Sequence, residues 1–264
     1  MSNGSDGSWR DLKTVVAATE IVETLAELNG AGVTEVASHL DMPKSTVHSH
    51  LSTLERVGYL VKEDQQYRIS YQFLLLGEYV RNNSALFQFG RAKANELAAE
   101  TGHYAHLYTE ERGLGINIYE SRGERAGDYE YQSLKLQRRE PLHVTASGKS
   151  VLAHLPEERA RDIVAEHGLA QYTQNTITDE SELFDELETI RERGYATNDM
   201  EEIDGFRAVA APVRTEGTEV LGSLSVSGPT SYLHGEVFRT EIPELVVTAS
   251  NLIEVEINMS NHNP

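Results

Sequence analysis

The sequence predicts an α+β protein of two domains, a small helical one carrying a β-hairpin and a larger one with an antiparallel sheet flanked by helices. Three observations predict it. The chain has 264 residues, a comfortable length for two domains. Its first eighty residues switch from helical periodicity to period two just after Gly58. Beyond Gly102, strand-like segments meet in hairpins with helical segments between them, as in a sheet covered by helices.

In the front part, Leu12, Val15, Val22, Leu25 and Leu28 repeat at helical spacing, and Asn29-Gly30 ends that helix. A short second helix has Thr34 as its expected N-cap and turns Val36, Ala37 and Leu40 inward. After Asp41-Met42, Pro43 occupies the first position of a third helix, where its missing N–H costs nothing. That helix runs from about Lys44 to Val57 and stops at Gly58. Tyr59 to Lys62 and Tyr67 to Ser70 then alternate about the polar turn Glu63-Asp64-Gln65-Gln66. Helix, helix, turn, helix, hairpin is the order of a winged helix-turn-helix.

On the third helix, Val47, Leu51 and Leu54 share one face. Ser45, Ser49, Ser52, Thr53 and Arg56 lie opposite, with Thr46 and His48 to the sides and Lys44 at the start; none is acidic. Such a face suits a major groove, where hydroxyls and imidazoles meet base edges and phosphates. Lys62 and Arg68 of the hairpin complete the candidate DNA-binding set. A three-helix protein-interaction module with a hairpin is the other reading of this pattern.

The charge opposes DNA binding. Asp and Glu number 42 against 23 Lys and Arg, a formal net charge of -19, which repels nucleic acid at long range in dilute salt. The excess is not a tail: residues 1–82 hold 11 acidic and 7 basic side chains, and the remainder 31 and 16. Carboxylate spread evenly over a normal core marks a surface kept soluble in concentrated salt, so the chain reads as a halophile's protein. There is no cysteine, which excludes disulfides and thiolate zinc sites. Met1 to Trp9 lacks the apolar core of a signal peptide and no apolar run approaches a membrane span. A soluble cytoplasmic protein without membrane partners is expected.

From Tyr71 to Val80 the chain reads as a linking helix, and after a polar break another runs from about Ala85 to Glu100. The expected division is residues 1–70 for the winged helix, 71–86 for the linker and 87–264 for the second domain. There, His103 to Thr109 and Leu114 to Tyr119 form one hairpin, and Ala208 to Arg214 and Val220 to Ser227 another. Tyr129 to Leu136 is a further candidate strand. Helices are expected from Ser147 to His154, from Glu157 to His167, and after Asp179, which with Glu182 makes a capping box. Ile242, Leu245, Val246, Ala249, Leu252 and Ile253 mark a closing amphipathic helix.

Catalytic motifs are absent. Gly148-Lys149-Ser150 ends like a phosphate loop, but His143 stands where that motif needs its first glycine. What survives is a turn of small residues opening a helix whose free N–H groups could hold a small anion. Ser225 and Ser227 face the same side of one strand, either toward a small polar ligand or toward solvent at an edge. His103, His106 and His143 have no metal-ligand spacing, and Glu201 and Glu202 have no carboxylate partner to make an acid–base pair. Neither enzymatic activity nor a cofactor is expected.

Several segments in order resemble the IclR family of transcriptional regulators: Pro141 to Lys149, Gly194-Tyr195-Ala196, Gly205-Phe206-Arg207 with Ala210 to Val213, and Leu224 to Pro229. In the front domain, Lys44 to His48 and Leu51 to Leu54 resemble its recognition helix. The resemblance implies a GAF-like second domain that binds a small effector, often an organic acid or sugar-derived metabolite. It implies a homodimer or homotetramer on a promoter palindrome and control of catabolic genes. Carried over by position, the effector site falls on Ala146, Ser147, Asn198, Ala208, Ser225 and Ser227. Asn198 stands where the family usually has an acidic residue, and Ser49-His50 where it usually has Arg-Leu after the recognition-helix histidine. The operator is therefore not transferable from relatives. A metabolite sensor whose helix-turn-helix no longer binds DNA is the alternative function.

Overall fold

The computed structural model describes residues 11–127, 138–216 and 219–261. The expected strand from Tyr129 to Leu136 lies outside them. The chain forms two compact units, Met1–Val80 and Arg81–Pro264, so the division falls inside the segment expected to link the domains.

In the first unit, helices α1 (Lys13–Glu27), α2 (Val33–His39) and α3 (Lys44–Arg56) precede strands β1 (Leu60–Glu63) and β2 (Gln66–Ile69). Ile21, Leu25, Val36, Val47, Leu51, Leu60 and Tyr67 close the core. Thr34 does not cap α2. The cap is Gly32, with no side-chain bond, because Ala31 pairs with Tyr67 of the hairpin and the chain turns straight into the helix. Pro43 stands one residue earlier than expected, as the N-cap of α3.

The hairpin turn is also tighter than expected. Glu63 pairs with Gln66, leaving Asp64 and Gln65 as a two-residue turn with φ of 44° and 71°, the primed geometry that matches strand twist. After it, α4 (Gln72–Asn82) buries none of its residues. Phe73 meets the edge of Tyr59, with ring centroids 5.4 Å apart, and Leu74, Leu75, Leu76, Tyr79 and Val80 stay exposed.

The second unit is a six-stranded antiparallel sheet in the order β5-β4-β3-β8-β7-β6. Its strands are β3 (Tyr104–Glu111), β4 (Leu114–Arg122), β5 (Arg139–Pro141), β6 (Ala196–Asp199), β7 (Phe206–Arg214) and β8 (Val220–Pro229). Helix α5 (Ala85–Thr101) and the closing helix α9 (Ile242–Asn261) supply one cluster, packing on Ala105, Leu107, Val209, Ala211, Leu224 and Val226. The other cluster comes from α6 (Ala146–His154), α7 (Glu157–His167) and α8 (Glu180–Arg193), with Tyr108 and Ala210 from the sheet. Alternation along the strands sorts the two faces: His106, Tyr108, Ala208, Ser225 and Ser227 share a face with α6. Asp179 caps α8 by accepting from Glu182 N at 3.0 Å, and Gly194 ends it in the left-handed region at φ 84°.

Burial lowers the pKa of His103, with Arg125 adding to the effect, and that of His143, where the Ala170 carbonyl partly opposes it. Both rings are then neutral in the fold and titrate lower than in the unfolded chain. Their stabilisation is complete above the unfolded value near 6.5 and is lost as pH falls through the lowered folded values. Each can remove up to about 1.4 kcal/mol per pH unit in that window. The melting temperature is expected to fall by several degrees from pH 7.5 to 5.5 in a calorimetric scan at constant salt.

Candidate nucleic-acid interface and ligand pocket

The polar face of α3 is built as its spacing requires. Lys44, Ser45, Thr46, His48, Ser49, Thr53 and Arg56 are exposed and Ser52 is half-buried, while Val47 and Leu51 are in the core. The hydroxyls of Ser49 and Thr53 donate to the carbonyls of Ser45 and Ser49, at 2.9 and 2.7 Å, and so meet a partner as acceptors. The hairpin cations are not brought to one face. Lys62 pairs with Tyr67 and Arg68 with Val61, which places them on opposite sides of the ladder. Lys62 Nζ lies 5.2 Å from the Tyr67 ring centre, and Arg68 is paired with Glu63 at 3.2 Å.

In the second unit, Ala146, Ser147, Ala208, Ser225 and Ser227 line one narrow cleft with about 20 Å³ of free space, room for a water molecule, so a ligand there has to spread its walls. Ser225 and Ser227 do not face solvent on an edge: β8 is central, and both are buried. Asn198 is buried but is not among the lining residues. Its Nδ2 donates to the Val144 carbonyl at 2.8 Å, and its Oδ1 accepts from Glu201 N at 2.9 Å. Both ends of the amide are spent clamping backbone around the cleft.

Sequence reasoning missed His106, Tyr108, Asn117, Glu140, Thr145 and Glu202, which also line it. Two of them had a signal. In β3, His106 and Tyr108 alternate with Ala105 and Leu107, so a strand facing a core on one side puts both on the other. The register seals the grouping, with His106 opposite Ser225 and Ala208 opposite Ser227.

The N-terminus of α6 forms one wall. Thr145 caps it, its Oγ1 accepting from Gly148 N at 2.8 Å, while the N–H groups of Ala146 and Ser147 have no intrahelical acceptor. Gly148 owes nothing to phosphate binding: a Cβ there would lie 2.2 Å from the Leu142 carbonyl oxygen, so the glycine permits a close backbone crossing. Behind this wall Lys149, 1% exposed, pairs with Glu201 at 2.5 Å. Burial raises the Glu201 pKa and the lysine opposes that rise. Among the described residues no cluster of histidine and carboxylate could hold a metal ion, and no helix is long and apolar enough to cross a membrane.

Two domain models match this architecture in order. The IclR helix-turn-helix domain matches residues 14–64, and the bacterial transcriptional regulator IclR C-terminal domain matches residues 80–254. The chain belongs to the IclR family. As an IclR-type transcriptional regulator it carries a DNA-binding helix-turn-helix and is not an enzyme. It is 36% identical to the probable HTH-type transcriptional regulator ArcR of Halobacterium salinarum, over 96% of this chain and 97% of that one. The salt-loving source of that relative fits the halophilic reading of the composition. The chain is 27% identical to the regulator KdgR of Escherichia coli, covering 95% of each. Among solved structures, an IclR regulator from Alicyclobacillus acidocaldarius matches with a TM-score of 0.78 at 27% identity, covering 95% of this chain and 99% of that one.

Proposed function

We propose that this IclR-family protein is a sequence-specific regulator of catabolic genes whose hold on a promoter palindrome is set by a small organic acid or sugar-derived metabolite. The observation that carries the DNA half is the exposed polar face of α3, where Lys44, Ser45, Thr46, His48, Ser49, Thr53 and Arg56 surround a single carboxylate, Glu55, in a chain of net charge -19. In the major groove, Arg56 and Lys44 neutralise phosphates while hydroxyls and His48 read base edges. Lys62 and Arg68 reach the flanking backbone from either side of the wing. The domains follow the expected division, residues 1–70 reading DNA, 71–86 linking and 87–264 holding the effector. The protein acts as a homodimer, or as a tetramer built from two. The exposed apolar side chains of α4, Leu74, Leu75, Leu76, Tyr79 and Val80, support such an assembly, because water-facing apolar patches of this kind mark interfaces.

The effector lies in the cleft beside α6. Ala146 and Ser147 supply backbone N–H groups to an acidic end, Ser225 and Ser227 meet the remaining polar atoms, and Ala208 sets the depth. Asn198 acts through the backbone it clamps. Chromatin immunoprecipitation in the host, with and without candidate carbon sources, tests the whole reading. Sharp peaks at a few catabolic promoters are expected, and they should vanish with Arg56→Ala. Enrichment nowhere under any condition would leave a sensor without DNA function.

The pocket is tested separately with Ser147→Trp, which fills the cleft. The variant should occupy the same promoters while responding at least about tenfold less to the carbon source, since a pocket without room forfeits its ligand contacts. An unchanged response would place the effector elsewhere.

A further inference from the structure

The hydroxyl protons along α3 are not all free for a partner. Ser49 Oγ donates to the Ser45 carbonyl at 2.9 Å, and Thr53 Oγ1 donates to the Ser49 carbonyl at 2.7 Å. Each bond folds the side chain back over the preceding turn and spends the only proton its hydroxyl has. Ser45 stands in the first turn, because α3 begins at Lys44, and no helical carbonyl lies four residues behind it. Its hydroxyl, like the ammonium of Lys44 beside it, is able to donate to DNA. The helix thus offers donors at its start and acceptors along its middle.

Ser49 is placed to read a base. At about 100° of rotation per residue, Ser45, Ser49, Ser52, Thr53 and Arg56 fall within one sector of the helix, with Ser49 near its centre. Glu55 points about 120° away from it, so no carboxylate competes for what Ser49 meets. In the major groove, guanine O6 and N7, adenine N7 and thymine O4 all accept, as do the phosphate oxygens beside it. The donors there are the exocyclic amino groups, N6 of adenine and N4 of cytosine. A hydroxyl whose proton is spent gains a bond only from those two. To serve guanine or thymine, Ser49 would first give up its bond to Ser45, and the exchange gains nothing net.

We propose that Ser49 reads an amino group: each half-site of the operator presents adenine or cytosine on the strand that Ser49 faces, and not guanine or thymine. The contact discriminates between base classes and leaves adenine and cytosine nearly equivalent, since both offer the same N–H to one acceptor. This inference rests on the reading of α3 as the helix that enters the major groove. It makes Ser49 a residue that decides specificity, while Lys44 and Arg56 hold phosphates whatever the sequence.

The test begins with selection of binding sites by the full-length protein from random duplexes at one fixed KCl concentration. In the enriched site each adenine is replaced in turn by purine, and each cytosine by pyrimidinone, bases that lack only the amino group. Fluorescence anisotropy then compares the wild-type protein with Ser49→Ala. At one base in each half-site the replacement should cost the wild type about fivefold more affinity than it costs Ser49→Ala, the scale of one net hydrogen bond. Both proteins meet the same weakened base pair, so the difference isolates the contact. Alanine is the stronger helix former at an exposed position, and Ser49→Cys, which keeps the shape but accepts weakly, should give the same result. Affinity that falls with Ser49→Ala yet couples to no amino group overturns the acceptor role while α3 still reads DNA. Affinity unchanged by either substitution removes Ser49 from the interface and overturns the proposal. A selection that enriches no sequence overturns DNA reading by α3, and the inference with it.

Discussion

Replacing Lys149 by methionine is expected to destabilise the C-terminal unit by about 3–5 kcal/mol, the usual consequence of removing one partner from a buried ion pair. The lysine is 1% exposed and its partner Glu201 7%, so neither charge has water to fall back on. Without the ammonium, burial and the Glu186 charge are opposed only by the Asp199 N–H, and the Glu201 pKa moves further up. A carboxyl whose folded pKa is raised stabilises below the unfolded value and loses that contribution as pH rises through the folded one. The deficit of Lys149→Met should therefore be larger at pH 7 than at pH 5. Adding Glu201→Leu should recover most of it, because a well-packed apolar pair can match a buried ion pair. Urea denaturation of the three proteins at both pH values measures this, and a loss under about 1 kcal/mol at pH 7 would contradict the burial argument.

DNA affinity is expected to change by less than about tenfold, or to rise, between dilute and molar KCl, where a basic protein with several phosphate contacts loses about three to five orders of magnitude over a far narrower range. The reason is arithmetic of charge. The first 82 residues carry 11 acidic against 7 basic side chains, so the long-range field repels the duplex in dilute salt. At 1 M the screening length is about 3 Å, which removes that repulsion and leaves the close contacts of Lys44 and Arg56. Fluorescence anisotropy on a promoter fragment recovered from the immunoprecipitated DNA measures the slope. A steep loss of affinity with added KCl would show that counterion release dominates after all.

The elements with strong local signals were legible in the sequence. Asp179 and Glu182 announced α8 because the capping bond is made within three residues, and Gly194 announced its end through the backbone it must adopt. Strands β5 and β6 escaped because three and four residues are too few to show a period. The pocket was half legible. Ser225 and Ser227 alternate visibly, but whether they face water depends on β8 lying between β3 and β7, which is a matter of topology. The Lys149–Glu201 pair spans 52 positions, and nothing local in either neighbourhood couples them. Asn198 was placed among ligand residues by its position after Gly194-Tyr195 and by family resemblance; its own hydrogen bonds tie it to backbone, a role that a short amide fits and that spacing does not reveal.

The two-residue turn of the wing bears on how this protein can be handled outside brine. Asp64 and Gln65 hold left-handed backbone angles that asparagine and glycine adopt at lower cost. Asn-Gly in their place would relax the hairpin and take one carboxylate off the wing at the same time. Natural selection in strong electrolyte has no reason to prefer that pair, since acidity there maintains hydration. A laboratory variant meant for ordinary buffers would begin with those two codons.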